Sequence, residues 1–268
     1  MPPVIRRVFA PILSLLALLI LHPWAGAAEP AKVGVVVMHG KGGSPGRFVN
    51  ELATTLKDAG FQVANLEMPW SGRRDYDVNM AGADDEITRA LDAMRAKGAR
   101  KVFVAGHSQG GLFAVRYAGA NKVDGVIPIA PGGQVNARTF VKALGEHVNK
   151  AKAMIAEGKG DEKAAFGDYE GSRGPNTIHT TAAIYQDWFD PETGLTSHAY
   201  RRVQADTPVL YVAPTRDYPG LKRIKRTLFE GLPPHPLTRM VEPDSKHLDA
   251  PTAAAEDIVA WIKQVAAQ

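Results

Sequence analysis

Cysteine is absent from all 268 residues. That excludes disulfides, thiolate nucleophiles, thiolate metal sites and S-acylation. An excess of one charge is also missing. The formal net charge is +4, and it drops to +2 once Arg6 and Arg7 of an N-terminal leader are set aside. No dense basic stripe accompanies it, so no nucleic-acid partner is expected. No His/Asp/Glu cluster has metal-ligand spacing and no H-E-x-x-H occurs, so neither a metal nor another cofactor is expected. The 26 glycines and 19 prolines follow no G-x-y period, which excludes a collagen-like chain. Hydrophobic residues make up 45% and charged residues 22%, which excludes intrinsic disorder and leaves ordinary globular composition.

Long hydrophobic runs are scarce as well. The one prominent run covers residues 8–21, shorter than the ~20 residues of a membrane span. Arg6 and Arg7 precede it, Pro23 breaks it, and Ala25-Gly26-Ala27 supplies small residues at a cleavage site. Residues 1–28 therefore read as a secretory signal peptide, giving an exported, periplasmic or secreted protein with no stable membrane span after processing. An uncleaved, membrane-tethered N-terminus is the alternative. Arg6-Arg7-Val8-Phe9 also resembles part of a twin-arginine signal, without its flanking Ser and Lys.

From residue 32 onward, strand and helix signals alternate. Val33, Val35, Val36, Val37 and Met38 form a continuous apolar run, as expected of a strand buried on both faces. Phe48, Leu52, Leu56 and Ala59 make a helical stripe that Gly60 ends. The pattern repeats with a strand at 61–66, a helix at 84–97, strands at 101–105 and 123–129, and a helix between them. It resumes with a strand at 209–212, a helix near 221–229, a strand near 237–241 and a last helix through Ile258, Trp261, Ile262 and Val265. Strands separated by helices imply a mostly parallel sheet covered by helices on both faces. Residues 131–207 interrupt this alternation. They read as a helical cap: a long helix through Phe140, Leu144, Val148 and Ile155, a polar loop at 158–174, and a second helix at 181–189.

Gly106-His107-Ser108-Gln109-Gly110 is the strongest chemical signal. It follows the strand at 101–105 directly and opens the helix through Leu112. A G-x-S-x-G motif in that context is a nucleophile elbow: a sharp turn raises Ser108 above the sheet, and side chains at Gly106 or Gly110 would clash with the neighbouring strand or helix. His39-Gly40-Lys41-Gly42-Gly43-Ser44 follows the first strand. With these two segments the chain resembles the α/β-hydrolase family, over essentially the whole of residues 29–268. The resemblance implies an α/β-hydrolase fold with a cap. It also implies an oxyanion hole built from the backbone amides of Lys41 and Gln109.

A serine hydroxyl needs a base, and the base needs an orienting acid. In the family the base follows the last sheet strand, which points to His247. The acid follows the preceding strand, which points to Asp217, with Asp244 as the competitor three residues from His247. The resemblance thus implies a serine hydrolase acting on a small-molecule or lipid-like carboxylic ester through Ser108, His247 and Asp217. A peptidase or thioesterase of the same fold is the first alternative, and a non-catalytic binding protein on the same scaffold the second. Trp70, after the second strand, and Tyr185, Trp188 and Phe189 in the cap are the candidate substrate contacts. Arg73 and Arg74 form a basic pair that either attracts an anionic substrate or is simply solvated.

Overall fold

A computed structural model describes residues 32–268. The leader read over residues 1–28 lies outside the described residues. Six parallel strands form the main sheet: β1 (Val33–Met38), β2 (Gln62–Leu66), β3 (Lys101–His107), β4 (Gly125–Ile129), β7 (Leu210–Val212) and β8 (Arg239–Val241), in the order β2-β1-β3-β4-β7-β8. Every residue of β1 is buried, as its uninterrupted apolar run requires of a strand covered on both faces. Its alternate side chains enter two separate cores. Val36 and Met38 pack with helices α2 (Met80–Ala96) and α3 (Gln109–Ala120), while Val33, Val35 and Val37 pack with α1 (Asn50–Asp58) and α8 (Ala255–Ala266). Gly34 is needed for this packing, because a Cβ there would lie 2.7 Å from Met94 Sδ of α2. The chain runs from β1 outward to β2 and then back past β1 to β3. The strand order therefore reverses between β1 and β3, and in such sheets the crevice at the carboxyl ends beside that reversal is where ligands bind.

Helix α2 starts four residues earlier than the apolar stripe suggests. Asn79 Oδ1 caps it by accepting from Gly82 N at 2.9 Å, and Met80 and Ala83 are buried in its added first turn. Helices α6 (Pro219–Glu230) and α7 (Ala250–Ala253) complete the main layer. Among the described residues no helix is long and apolar enough to cross a membrane.

The insertion between β4 and β7 is not all helical. Helix α4 (Arg138–Ala156) and helix α5 (Ala182–Phe189) flank an antiparallel hairpin of β5 (Lys163–Glu170) and β6 (Gly174–Thr181), in register from Lys163 opposite Thr181 to Glu170 opposite Gly174. The expected polar loop at 158–174 is thus corrected to a strand and its turn. Its alternation is hidden because the inward set, Phe166, Asp168, Ile178 and Thr180, is half polar, while the outward face is solvated. Gly174 has φ +84°, the left-handed conformation that the turn needs. A short 3₁₀ helix, Ser197–Arg202, leads back to β7.

Candidate active site

Ser108 stands between β3 and α3 with φ 54° and ψ −118°. That backbone is strained for a residue with a Cβ, and the surroundings hold it: Ser108 N donates to Ile129 O at 2.9 Å, and Ser108 O accepts from Gly132 N at 3.1 Å. A Cβ at Gly106 would lie 2.1 Å from Gly110 O, and one at Gly110 would lie 2.6 Å from His39 O. Those clashing atoms are backbone and cannot swing away. Gly106→Ala is expected to destabilise the fold by about 3 kcal/mol or more. Gly46→Ala, whose Cβ would meet nothing within 4 Å, is the control and should move the urea midpoint little.

The loop after β1 lies against this elbow, since a Cβ at Gly40 would sit 3.1 Å from Ser108 Cβ. His39 is a buried frame residue: its Nδ1 donates to Gly40 O at 2.8 Å and its Nε2 accepts from Met68 N at 3.0 Å. Gly42 N donates to Trp70 O and Gly43 N to Gly40 O. The amide of Lys41 has no acceptor among the described residues. The amide of Gln109, first in α3, has no intrahelical acceptor either.

His247 Nδ1 and Asp217 Oδ1 are 2.7 Å apart, each side chain only 6% exposed. The carboxylate fixes the proton on Nδ1, and His247 and Ser108 line the same cleft. Neither Ser108 Oγ nor His247 Nε2 has a hydrogen-bond partner among the described residues. Asp217 Oδ1 also accepts from Tyr218 N at 2.6 Å, and the Tyr218 ring lies 4.5 Å from the imidazole. Asp244 is elsewhere. Its side chain is 81% exposed and pairs with Arg216 Nε at 2.9 Å, so Asp217 and not Asp244 contacts the imidazole.

His107 adjoins Ser108 and, as that adjacency implies, its ring has its partner elsewhere. Its Nε2–H donates to His247 O at 2.9 Å, holding the loop that carries the imidazole. Burial first, then the neighbouring His247, pushes its pKa down to about 3 from 6.5. Between those two values the unfolded chain takes up a proton that the folded chain refuses. Stability contributed here is complete above pH 6.5 and falls as the pH drops towards about 3, by up to about 1.4 kcal/mol per pH unit. His39, also pushed down by burial, adds to the same slope. Urea unfolding between pH 4.5 and 7 should show this loss, and in His107→Gln the slope should be shallower by about one proton.

The four candidate substrate contacts are placed differently. Trp70, Tyr185, Trp188 and Phe189 are all buried and form one aromatic cluster with Phe113, Tyr76 and Phe166. Their polar atoms are spent on structure: Trp70 Nε1 donates to His39 O, Trp188 Nε1 to Val78 O (both 2.8 Å), and Tyr185 OH to Gly167 O (2.7 Å). They bolt the cap to the sheet and do not line the cleft. Aromatic rings at helical spacing are more readily buried by packing than held at a solvated mouth. The cleft beside Ser108 and His247 is lined instead by Lys41, Arg47, Phe48, Leu248 and, from the turn of the β5–β6 hairpin, Glu170 and Arg173. Arg73 pairs with Glu67, and Arg74 with Glu86 and Asp77, so each has an acidic partner.

A strained serine after β3, a histidine–carboxylate pair after β8 and β7, and a glycine loop after β1 share one end of the sheet. The family described as serine aminopeptidase, S33, matches residues 29–170, more than half of the chain. The protein belongs to this family of α/β hydrolases. Solved structures of the same fold include a monoacylglycerol lipase of Paleococcus ferrophilus, 21% identical, with 88% of this chain and 96% of that chain covered and a TM-score of 0.61. Est1E of Butyrivibrio proteoclasticus with bound ferulic acid is 16% identical, covers 88% of each chain and has a TM-score of 0.57. At those identities the likeness is one of fold. No curated protein sequence matches the chain significantly. This hydrolase therefore has its family from sequence and its site from its own geometry.

Proposed function

We propose that this α/β hydrolase cleaves a carboxylic ester by acyl transfer to water. Ser108 Oγ attacks the carbonyl carbon while His247 Nε2 takes its proton. The amides of Lys41 and Gln109 bind the oxygen as it becomes negative. His247 then returns the proton to the departing alcohol, leaving an acyl-Ser108. Water attacks that acyl group through the same base, releasing the acid and restoring Ser108. Asp217 orients the imidazole and stabilises its charged form. The observation that carries this reading is the buried 2.7 Å pair of His247 and Asp217, with His247 lining the same cleft as Ser108.

An aminopeptidase reading follows from the family's description. It would need a carboxylate free to bind a peptide's α-ammonium. The cleft offers Arg47 and Arg173 against Glu170, which is already engaged by Arg173 and Ser172, and the Lys41 ammonium is paired with Asp168. That balance favours esters over peptides with a cationic N-terminus. The test is a fluorophosphonate probe with peptide mapping, beside turnover of p-nitrophenyl acetate and of an aminoacyl anilide. Labelling at Ser108 and faster ester turnover are expected; labelling elsewhere, or faster anilide turnover, overturns the reading. Export is part of the same proposal, on the strength of the leader at residues 1–28. A mature N-terminus at Ala28 or Glu29 outside the cytoplasm is the expected finding.

A further inference from the structure

Lys41 does more than supply an amide. Its Nζ forms an ion pair with Asp168 of β5, 127 residues away, and donates to Tyr169 O at 3.2 Å. The two charged side chains are only 9% and 7% exposed. The ammonium lies 5.5 Å from the centre of the Phe140 ring and 5.2 Å from that of Phe189, so α4 and α5 shield it from water. A buried ion pair seldom adds net stability compared with apolar residues of the same size, because both charges lose their hydration. It does impose direction, since each charge has one place where it is satisfied.

What this pair directs is the loop after β1. On one side that loop is held by Trp70, through Gly42 N to Trp70 O at 2.9 Å and Trp70 Nε1 to His39 O at 2.8 Å. On the other side it meets the hairpin. Arg173 Nη1 comes so close to Gly42, itself at φ +61°, that a Cβ there would be 3.4 Å away. The Lys41 side chain is anchored to Asp168, two residues before β5 ends. Between these two grips lies the Lys41 amide, which has no acceptor among the described residues.

We propose that Asp168 is a positioning residue for hydrolysis: by holding Lys41 Nζ it sets the Lys41 amide against the oxyanion, and the β5–β6 hairpin is a clamp on the oxyanion loop. This rests on the ester-hydrolase reading. A donor aimed at developing charge loses its effect when displaced by a fraction of an ångström, whereas substrate binding suffers little.

The mature full-length protein is assayed with p-nitrophenyl acetate, and kcat is expressed per serine titrated by a fluorophosphonate. Asp168→Asn and Lys41→Met are each expected to lower kcat per titrated serine about 10- to 100-fold with KM nearly unchanged, and to slow phosphonylation in parallel. A structural role alone would lower the fraction of titratable serine and leave kcat per titrated serine intact. Asp168→Asn leaves a buried ammonium unpaired and invites misfolding. The double variant Lys41→Met, Asp168→Leu removes both charges, keeps the fold, and should show the same loss as the single changes. A double variant with kcat per titrated serine within about twofold of wild type overturns the proposal. A wild-type protein whose Ser108 resists the probe would instead overturn the hydrolase reading beneath it.

Discussion

Ser108→Ala should lower kcat by about 10⁴- to 10⁶-fold while leaving the fold unchanged. The reasoning is geometric. Ser108 occupies the one strained turn that joins β3 to α3 beside the loop after β1, and an alanine there keeps the Cβ that the turn already accommodates. Circular dichroism and the urea midpoint should match the wild type. His247→Ala should fall nearly as far, and Ser108→Ala with His247→Ala should fall little further than either, because nucleophile and base act as one unit. Ester turnover that survives in Ser108→Ala after removal of contaminating esterase would place the chemistry elsewhere.

The second large effect is expected at the acid. Asp217→Asn should lower kcat by about 10⁴-fold, since an amide at that position can donate to Nδ1 and so favours the tautomer with its proton on Nε2. That tautomer cannot take the serine's proton. Asp244→Asn should change kcat by less than about twofold, because Asp244 lies at the surface with Arg216, and exposed ion pairs contribute little. The comparison is informative because Asp244, three residues from His247, is the competitor of Asp217 in the sequence. Reversed magnitudes would move the acid into the loop after β8.

Much of this site was legible without coordinates. The apolar run of β1 and the glycines around Ser108 are local signals, and the chain order of Ser108, Asp217 and His247 matches the order the resemblance implies. Each local signal arises from a constraint acting over a few residues: a strand buried on both faces, or a turn too tight for a Cβ. The hairpin was not legible, because Asp168 and Thr180 face inward and break the alternation that marks a strand. Nor was the role of the aromatics. Their helical spacing fits a cleft wall and a core equally well, and only the packing of α5 against Trp70 and Phe113 buries them.

By itself, then, the sequence determined the parallel α/β sheet and the elbow around Ser108, because backbone sterics and burial periodicity act along the chain, while the resemblance to α/β hydrolases pointed to His247 and a short choice of acids. The tertiary structure alone set Asp217 rather than Asp244 against His247, turned the cap's centre into a hairpin, drew Trp70, Tyr185, Trp188 and Phe189 into the core, and joined Lys41 to Asp168. Each of those depends on contacts between segments tens to more than a hundred residues apart. Such contacts carry no period in the sequence, and they are selected by which arrangement buries the aromatic surface while leaving every inward-facing charge a partner.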